Sequence, residues 1–187
     1  LTVLPHAESL GLHSDIVLAL WDTLFARLAQ VGWKVIVVMS GHFSQSHDLA
    51  LMDAAERAMQ QHDVLILALP PLALVDETML DHAALWETSL MLALRPDLVS
   101  LDALGSGALP PSVSGIIGRD PRDTARASMG ETSLTMAVER LVRAVNQLRS
   151  ESDPAPIHAL YEQRRLLYRA YHERYAQQPP EVAIESW

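Results

Sequence analysis

The chain has 187 residues, 49% of them hydrophobic and 20% charged, and no cysteine. That length holds one soluble globular domain, and the missing thiols exclude a disulfide scaffold, a cysteine nucleophile and any cysteine-bound zinc or iron–sulfur centre. With 14 Lys+Arg against 23 Asp+Glu the net charge is −9, which repels nucleic-acid backbones and anionic lipid. No apolar run has the length of a membrane span or the pattern of a secretion signal, so the cytoplasm is the expected compartment. The sequence opens at Leu1 rather than Met, which fits a processed chain or a fragment.

From Ser14 to Val31, the residues Ile16, Val17, Leu20, Trp21, Leu24, Phe25, Leu28 and Val31 recur at three- and four-residue steps and predict an amphipathic helix closed by Gly32. Val35 to Met39 is a continuous apolar run too short for a helix and predicts a strand buried on both faces. Leu49, Met52, Ala55 and Met59 mark a second helix ending near Gln61, and Val64 to Leu69 predicts a second strand stopped by Pro70 and Pro71. Helix and strand alternating in this way predict crossover units and a parallel sheet.

A third helix is expected over Trp86–Leu94, a loop over Ser100–Pro111, a short strand over Ser114–Gly118 and a long helix over Asp123–Arg149. Ser150–Pro156 reads as a linker. In the last stretch, Ile157–Tyr175, the residues Leu160, Tyr161, Leu167, Tyr168 and Tyr171 form a stripe to be packed inward, with Arg164, Arg165, Arg169 and Arg174 on a solvated face. We therefore expect an α/β domain over 1–150 and a linker with a helical extension over 151–187. Two or three strands make a thin sheet, which would borrow strands from a missing segment or set its edge against a partner.

Ligands of open parallel sheets sit beyond the carboxyl ends of the strands. The first strand runs there into Ser40-Gly41-His42-Phe43-Ser44-Gln45-Ser46-His47. His42 would serve as a metal ligand or an acid/base, or would be a turn histidine bonded to a nearby carbonyl. A second polar cluster is Asp81-His82-Ala83-Ala84-Leu85-Trp86-Glu87-Thr88-Ser89, where Glu87 either joins His82 or simply favours the start of a helix through the macrodipole. No glycine-rich phosphate loop or Gly-x-Ser-x-Gly elbow is present.

The stretch DHAALWETSLMLALRPDLVSLDAL resembles the His-Ala-Gly-x-x-Glu-Thr-Ser motif and following helix of the creatininase (creatinine amidohydrolase) family. GWKVIVVMSGHFSQ is similar to that family's strand and Asn-Gly-His-Gly-Gly-Asn turn, and SGIIGRDPRDTARASMGETSLTMAVERLVRAV resembles its Gly-Asp-Pro segment and late helix. The resemblance implies a three-layer α/β/α sandwich with a mainly parallel sheet, here truncated, and a homo-oligomer, a hexamer in the family.

It also implies a hydrolase that uses a divalent metal (zinc, manganese or iron) to cleave C–N bonds in small cyclic amides or formamides, by lowering the pKa of bound water toward ~7. By the same resemblance, His42 ligates the metal, His82 serves the proton transfers, and Glu87 is a ligand or an orienting carboxylate. Phe43, Ser44 and Trp86 then face the substrate.

Several positions depart from the family pattern. Only 41 residues precede His42, and the family's front Glu-x-His motif is missing from them. Ser40 and Gln45 stand for the two Asn of the turn, Ser44 for a ligating Glu of creatinine-hydrolysing members, and Ala84 for the motif's Gly. His6, Glu8 and His13 could replace the lost ligands, or the segment is an entry loop to the first helix. Two readings follow: a metal-dependent amidohydrolase in which His42 and His82 converge in one cavity, or a non-catalytic subunit or small-molecule binder that has lost its metal site.

Overall fold

The computed structural model describes residues 12–41 and 44–177. They run α1 (Ser14–Val31), β1 (Val35–Met39), α2 (Gln45–Gln61), β2 (Leu65–Leu69), α3 (Leu85–Leu94), the short α4 (Pro111–Ser114) and α5 (Pro121–Thr124), α6 (Ala127–Glu151) and α7 (Ala155–Tyr175). Two compact units result, the first drawn from Leu1–Pro71 and Leu141–Glu173, the second from Leu72–Arg140 and Arg174–Trp187.

In the first unit β1 and β2 pair in parallel with Val35 opposite Leu65 and Met39 opposite Leu69, as the alternation of helix and strand predicted. α1 ends where Gly32, at a φ of 105°, lets its own N–H and that of Trp33 turn back to the carbonyls of Ala29 and Leu28. α2 packs on both α1 and β2. Arg57 of α2 also grips Asp22 of α1 through two hydrogen bonds of 3.1 and 2.9 Å. The apolar arc of α1 is wider than the face α2 covers: Val17 and Phe25 are buried, while Ile16, Leu20, Leu24 and Val31 stay exposed.

The outer edge of β2 is closed by a side chain. Parallel pairing directs the backbone groups of Leu65, Leu67 and Leu69 toward β1 and those of Ile66 and Ala68 away from it. The hydroxyl of Tyr161, on α7, donates to the Ile66 carbonyl at 2.8 Å and accepts from the Ala68 N–H at 2.9 Å. Burial pushes the Tyr161 pKa upward, so the group remains a donor. α7 is further tied to α2 by Arg165, which bonds Asp53 at 2.8 Å and Glu56 at 2.6 Å, and by His158, 3.1 Å from Glu56.

Several expectations need correction. α2 starts at Gln45, ahead of the apolar residues that marked it, with Ser44 at its N-cap position but without a side-chain cap hydrogen bond. The expected strand over Ser114–Gly118 is α4 followed by a single bridge at Ile117: Pro111 suits a first helical turn, and Gly115 at φ 73° ends it. The long helix is interrupted at Ala125, whose extended backbone separates α5 from α6. On α7 the inward stripe includes an arginine: Arg164 is 1% exposed beside Tyr161 and Tyr168, whereas Leu167 faces solvent.

In the second unit α6 meets α3 through Gly130. A β-carbon there would lie 2.0 Å from the Ser89 carbonyl oxygen and 2.9 Å from the Ala93 β-carbon. Alanine in a helix interior ordinarily stabilises relative to glycine. Here Gly130→Ala is expected to destabilise by about 1–3 kcal/mol, read as a lower denaturant midpoint at unchanged slope, because rigid backbone has to shift.

Candidate active site

The polar cluster after β2 organises the start of α3. Asp81 is buried, and its carboxylate accepts from the N–H groups of Trp86 at 2.6 Å and Glu87 at 3.0 Å, satisfying two donors that the first helical turn leaves open. Glu87 answers in the reverse direction: its Oε2 accepts from the Ala83 N–H at 2.6 Å. This reciprocal exchange follows the logic of a capping box. Ser89, fully buried, donates to the Leu85 carbonyl at 2.6 Å and accepts from the Arg126 N–H at 3.0 Å, so it ties α3 to the start of α6.

His82 is held through its backbone. Its N–H donates to the Ile117 carbonyl and its carbonyl accepts from the Ile117 N–H, both at 2.9 Å, in an isolated antiparallel bridge. That leaves the imidazole half-exposed, with 42% of the side chain accessible and Nδ1 3.5 Å from Glu87 Oε2. Burial pushes the Glu87 carboxyl upward, against the pull of the Ala83 N–H and the His82 ring, and nearby Asp81 raises it further. Asp81 is raised by burial too, offset by its two backbone donors. An accessible imidazole 3.5 Å from a half-buried carboxylate is an arrangement that acid/base chemistry can use.

Backbone geometry corrects the reading of the alanines. Ala83, not Ala84, is left-handed, with a φ of 51°, which costs a residue with a β-carbon of order 1 kcal/mol. Ala84, at φ −106°, needs no glycine. Room for its methyl group comes from Gly118 opposite, where a β-carbon would stand 2.9 Å from that of Ala84 and 3.0 Å from that of Asp81.

The other predicted positions are distributed as follows. Trp86 lies in the first turn of α3, half-buried. Ser44 is buried at the N-cap of α2. His13 is exposed at the N-cap of α1, and its carbonyl accepts from the N–H groups of Ile16 and Val17. His42, Phe43, His6 and Glu8 lie outside the described residues, and with them the convergence of His42 on His82.

Among the described residues, no three His, Asp or Glu side chains are grouped as a metal ion requires. Those residues alone therefore do not make a metal centre. An open cavity of about 880 Å³, lined by Trp33, Lys34, His62, Asp63 and Arg149 among others, lies at the amino ends of β1 and β2, the opposite end from Ser40.

Asp81 and the pair Ile117–Gly118 were not assigned roles from sequence. An Asp directly before the histidine, with backbone donors five and six residues later, was the available signal for the first. The second is a long-range contact, Ile117 bridging His82 and Gly118 lying against Ala84, with no such signal.

Residues 5–145 match the family model described as Creatininase: Creatinine amidohydrolase. Solved structures similar in fold include a tryptophan-to-alanine mutant creatininase, with TM-score 0.61 and 22% identity over 79% of this chain and 68% of that one. A glutamate-to-glutamine mutant creatininase of Zn–Zn type has TM-score 0.60 and 22% identity over 79% of this chain and 67% of that one. A glutamate-to-glutamine mutant creatininase complexed with creatine has TM-score 0.61 and 22% identity over 76% and 68%. No curated protein sequence matches the chain.

Proposed function

This chain belongs to the creatininase (creatinine amidohydrolase) family, and from that premise we propose that it hydrolyses a C–N amide bond in a small cyclic amide or formamide-type substrate, with His82 as the proton carrier. The observation that carries the reading is the geometry of His82: backbone fixed by Ile117, ring accessible, Glu87 3.5 Å away. In this scheme the ring moves the proton to the leaving nitrogen, Glu87 steadies the charged ring, and Asp81 keeps the first turn of α3 in place beneath both. Trp86, Phe43 and Ser44 are the proposed substrate contacts.

A divalent metal (zinc, manganese or iron) belongs to the proposal because a solved relative in fold is a Zn–Zn type enzyme. Its chemistry would be the polarisation of the amide carbonyl and the activation of water. Since the described residues do not supply its ligand set, His42, with His6 and Glu8, is where that part of the proposal has to be tested. Assembly into a homo-oligomer, a hexamer by family resemblance, and a cytoplasmic location complete the reading. No described helix is long and apolar enough to cross a membrane.

The test is turnover of creatinine and of an N-formyl amine by the purified chain, with metal analysis after dialysis. Hydrolysis of one of them, with retained metal that is lost in His42→Ala, is the expected result. Metal-free protein that binds such a compound without cleaving it would establish the non-catalytic binder instead.

A further inference from the structure

His82 and Glu87 are five residues apart, a separation that sets two side chains about 140° apart around a continuous α-helix. They lie 3.5 Å apart nonetheless, because the chain between them is not helical: Ala83 is left-handed at a φ of 51°, and Ala84, at the N-cap of α3, has φ −106° and ψ −147°. A left-handed residue with a β-carbon persists only where its surroundings over-determine it. Two side chains from the first turn of α3 do so here. Glu87 Oε2 accepts from the Ala83 N–H at 2.6 Å, and Thr88 Oγ1 donates to the Ala83 carbonyl at 3.2 Å.

The direction taken by the Thr88 hydroxyl is informative. Serine and threonine within a helix commonly bond the carbonyl four residues earlier, as Thr23, Thr132, Ser133 and Thr135 do in this chain at 2.8–2.9 Å. Thr88, half-buried, reaches five residues back, past the N-cap, to a carbonyl outside the helix. Its own N–H already closes the first turn on the Ala84 carbonyl at 3.0 Å. The hydroxyl therefore adds no turn to α3; what it holds is the peptide that joins Ala83 to Ala84.

We propose that Thr88 is a positioning residue for His82: by holding the Ala83 carbonyl it keeps the left-handed turn that sets the imidazole beside Glu87. Without the hydroxyl, Ala83 relaxes toward the negative φ that alanine prefers, and the five-residue spacing no longer brings ring and carboxylate together. The proposal rests on the amidohydrolase reading above, in which that imidazole carries the proton. Every group it invokes belongs to residues 82–88.

Thr88→Val, close to the native shape, removes the donor alone. For whichever amide the wild type turns over, kcat is expected to fall about 3–10-fold with KM little changed, the loss of one hydrogen bond read as rate. Thr88→Ser keeps a donor and is expected to retain most of the rate. Adding Ala83→Gly to Thr88→Val is expected to return part of what was lost, since glycine occupies the left-handed region without being held there. A role confined to stabilising α3 would gain nothing from that second change.

The readout that needs no substrate is the nuclear Overhauser contact between the His82 ring and the Glu87 methylene protons. It is expected to weaken in Thr88→Val and to return in the double variant. Should Thr88→Val fail to fold, Thr88→Ala carries the same expectations. Wild-type kcat with an unchanged ring contact in the folded variant overturns the proposal, and so does a fall in kcat that Thr88→Ser shares in full. Absence of turnover by the wild type would defeat the amidohydrolase reading instead; the ring contact then still decides whether Thr88 holds the turn.

Discussion

Arg164→Met is expected to cost about 3–5 kcal/mol of stability, far more than a variant that replaces Asp48, Arg164 and Tyr168 together by apolar side chains, because Arg164 is buried against the Asp48 carboxylate. The asymmetry follows from what is left behind. Asp48 would keep Ser40 and Tyr168 as hydrogen-bond donors but lose the cation 2.7 Å from Oδ2. Burial already raises its carboxyl in the wild type, and the Arg164 guanidinium opposes that rise more strongly than any other neighbour, so losing the cation raises it further.

The pH dependence has a definite sign. A carboxyl whose folded pKa lies above its unfolded value contributes stability below the unfolded pKa and loses it as pH rises through the folded one. The penalty in Arg164→Met should thus be largest near neutrality and shrink on acidification, as Asp48 takes up a proton and no longer needs a cation. Urea unfolding of variant and wild type at two pH values on either side of that range measures it. A loss below about 1 kcal/mol at neutral pH, the value typical of an exposed ion pair, would mean that the cluster is not dry.

The second large effect is on rate. His82→Ala is expected to lower kcat/KM by about 10²–10⁴-fold, the range that a positioned general acid or base contributes. Folding should be little affected, because the N–H and carbonyl of position 82 keep their bonds to Ile117 in alanine and the ring is half-exposed. Glu87→Gln is a graded companion: its amide oxygen can still accept from the Ala83 N–H, while the charge beside the imidazole is gone. A smaller fall in rate, with the pH profile displaced, separates steadying the charged ring from capping the helix. Circular dichroism and steady-state kinetics on the same samples suffice, and undiminished kcat/KM in folded His82→Ala would remove the proton carrier from the scheme.

Local chemistry made the regular elements legible. β1 spans the same five residues as its apolar run, though only Ile36 of them is buried where burial on both faces was expected, and β2 is one residue shorter than expected; the breaker residues and the apolar runs are sequence-local. Glu87 in the first turn of α3 was equally readable from helix electrostatics. What escaped are contacts between residues far apart in the chain. Tyr161 and Arg164 form part of the same turn-spaced pattern on α7 as Leu167. Nothing in that spacing tells that a hydroxyl caps β2, that an arginine is buried against a carboxylate 116 positions earlier, or that Leu167 is left in water. Likewise, the positive φ at Ala83 instead of Ala84 lies next to the bridge of His82 to Ile117, a long-range contact invisible to a window of eleven or eighteen residues.

A parallel sheet this narrow has two sides from which it could be widened, and the phenol seated on β2 removes one of them. The N–H of Ala68 and the carbonyl of Ile66 are already engaged, so an incoming backbone there would have to evict Tyr161 and leave a buried phenolic oxygen without its partners. Any strand added to this scaffold, whether from the same polypeptide or from another molecule, has to dock alongside Val35–Met39, and the sheet can grow in that single direction.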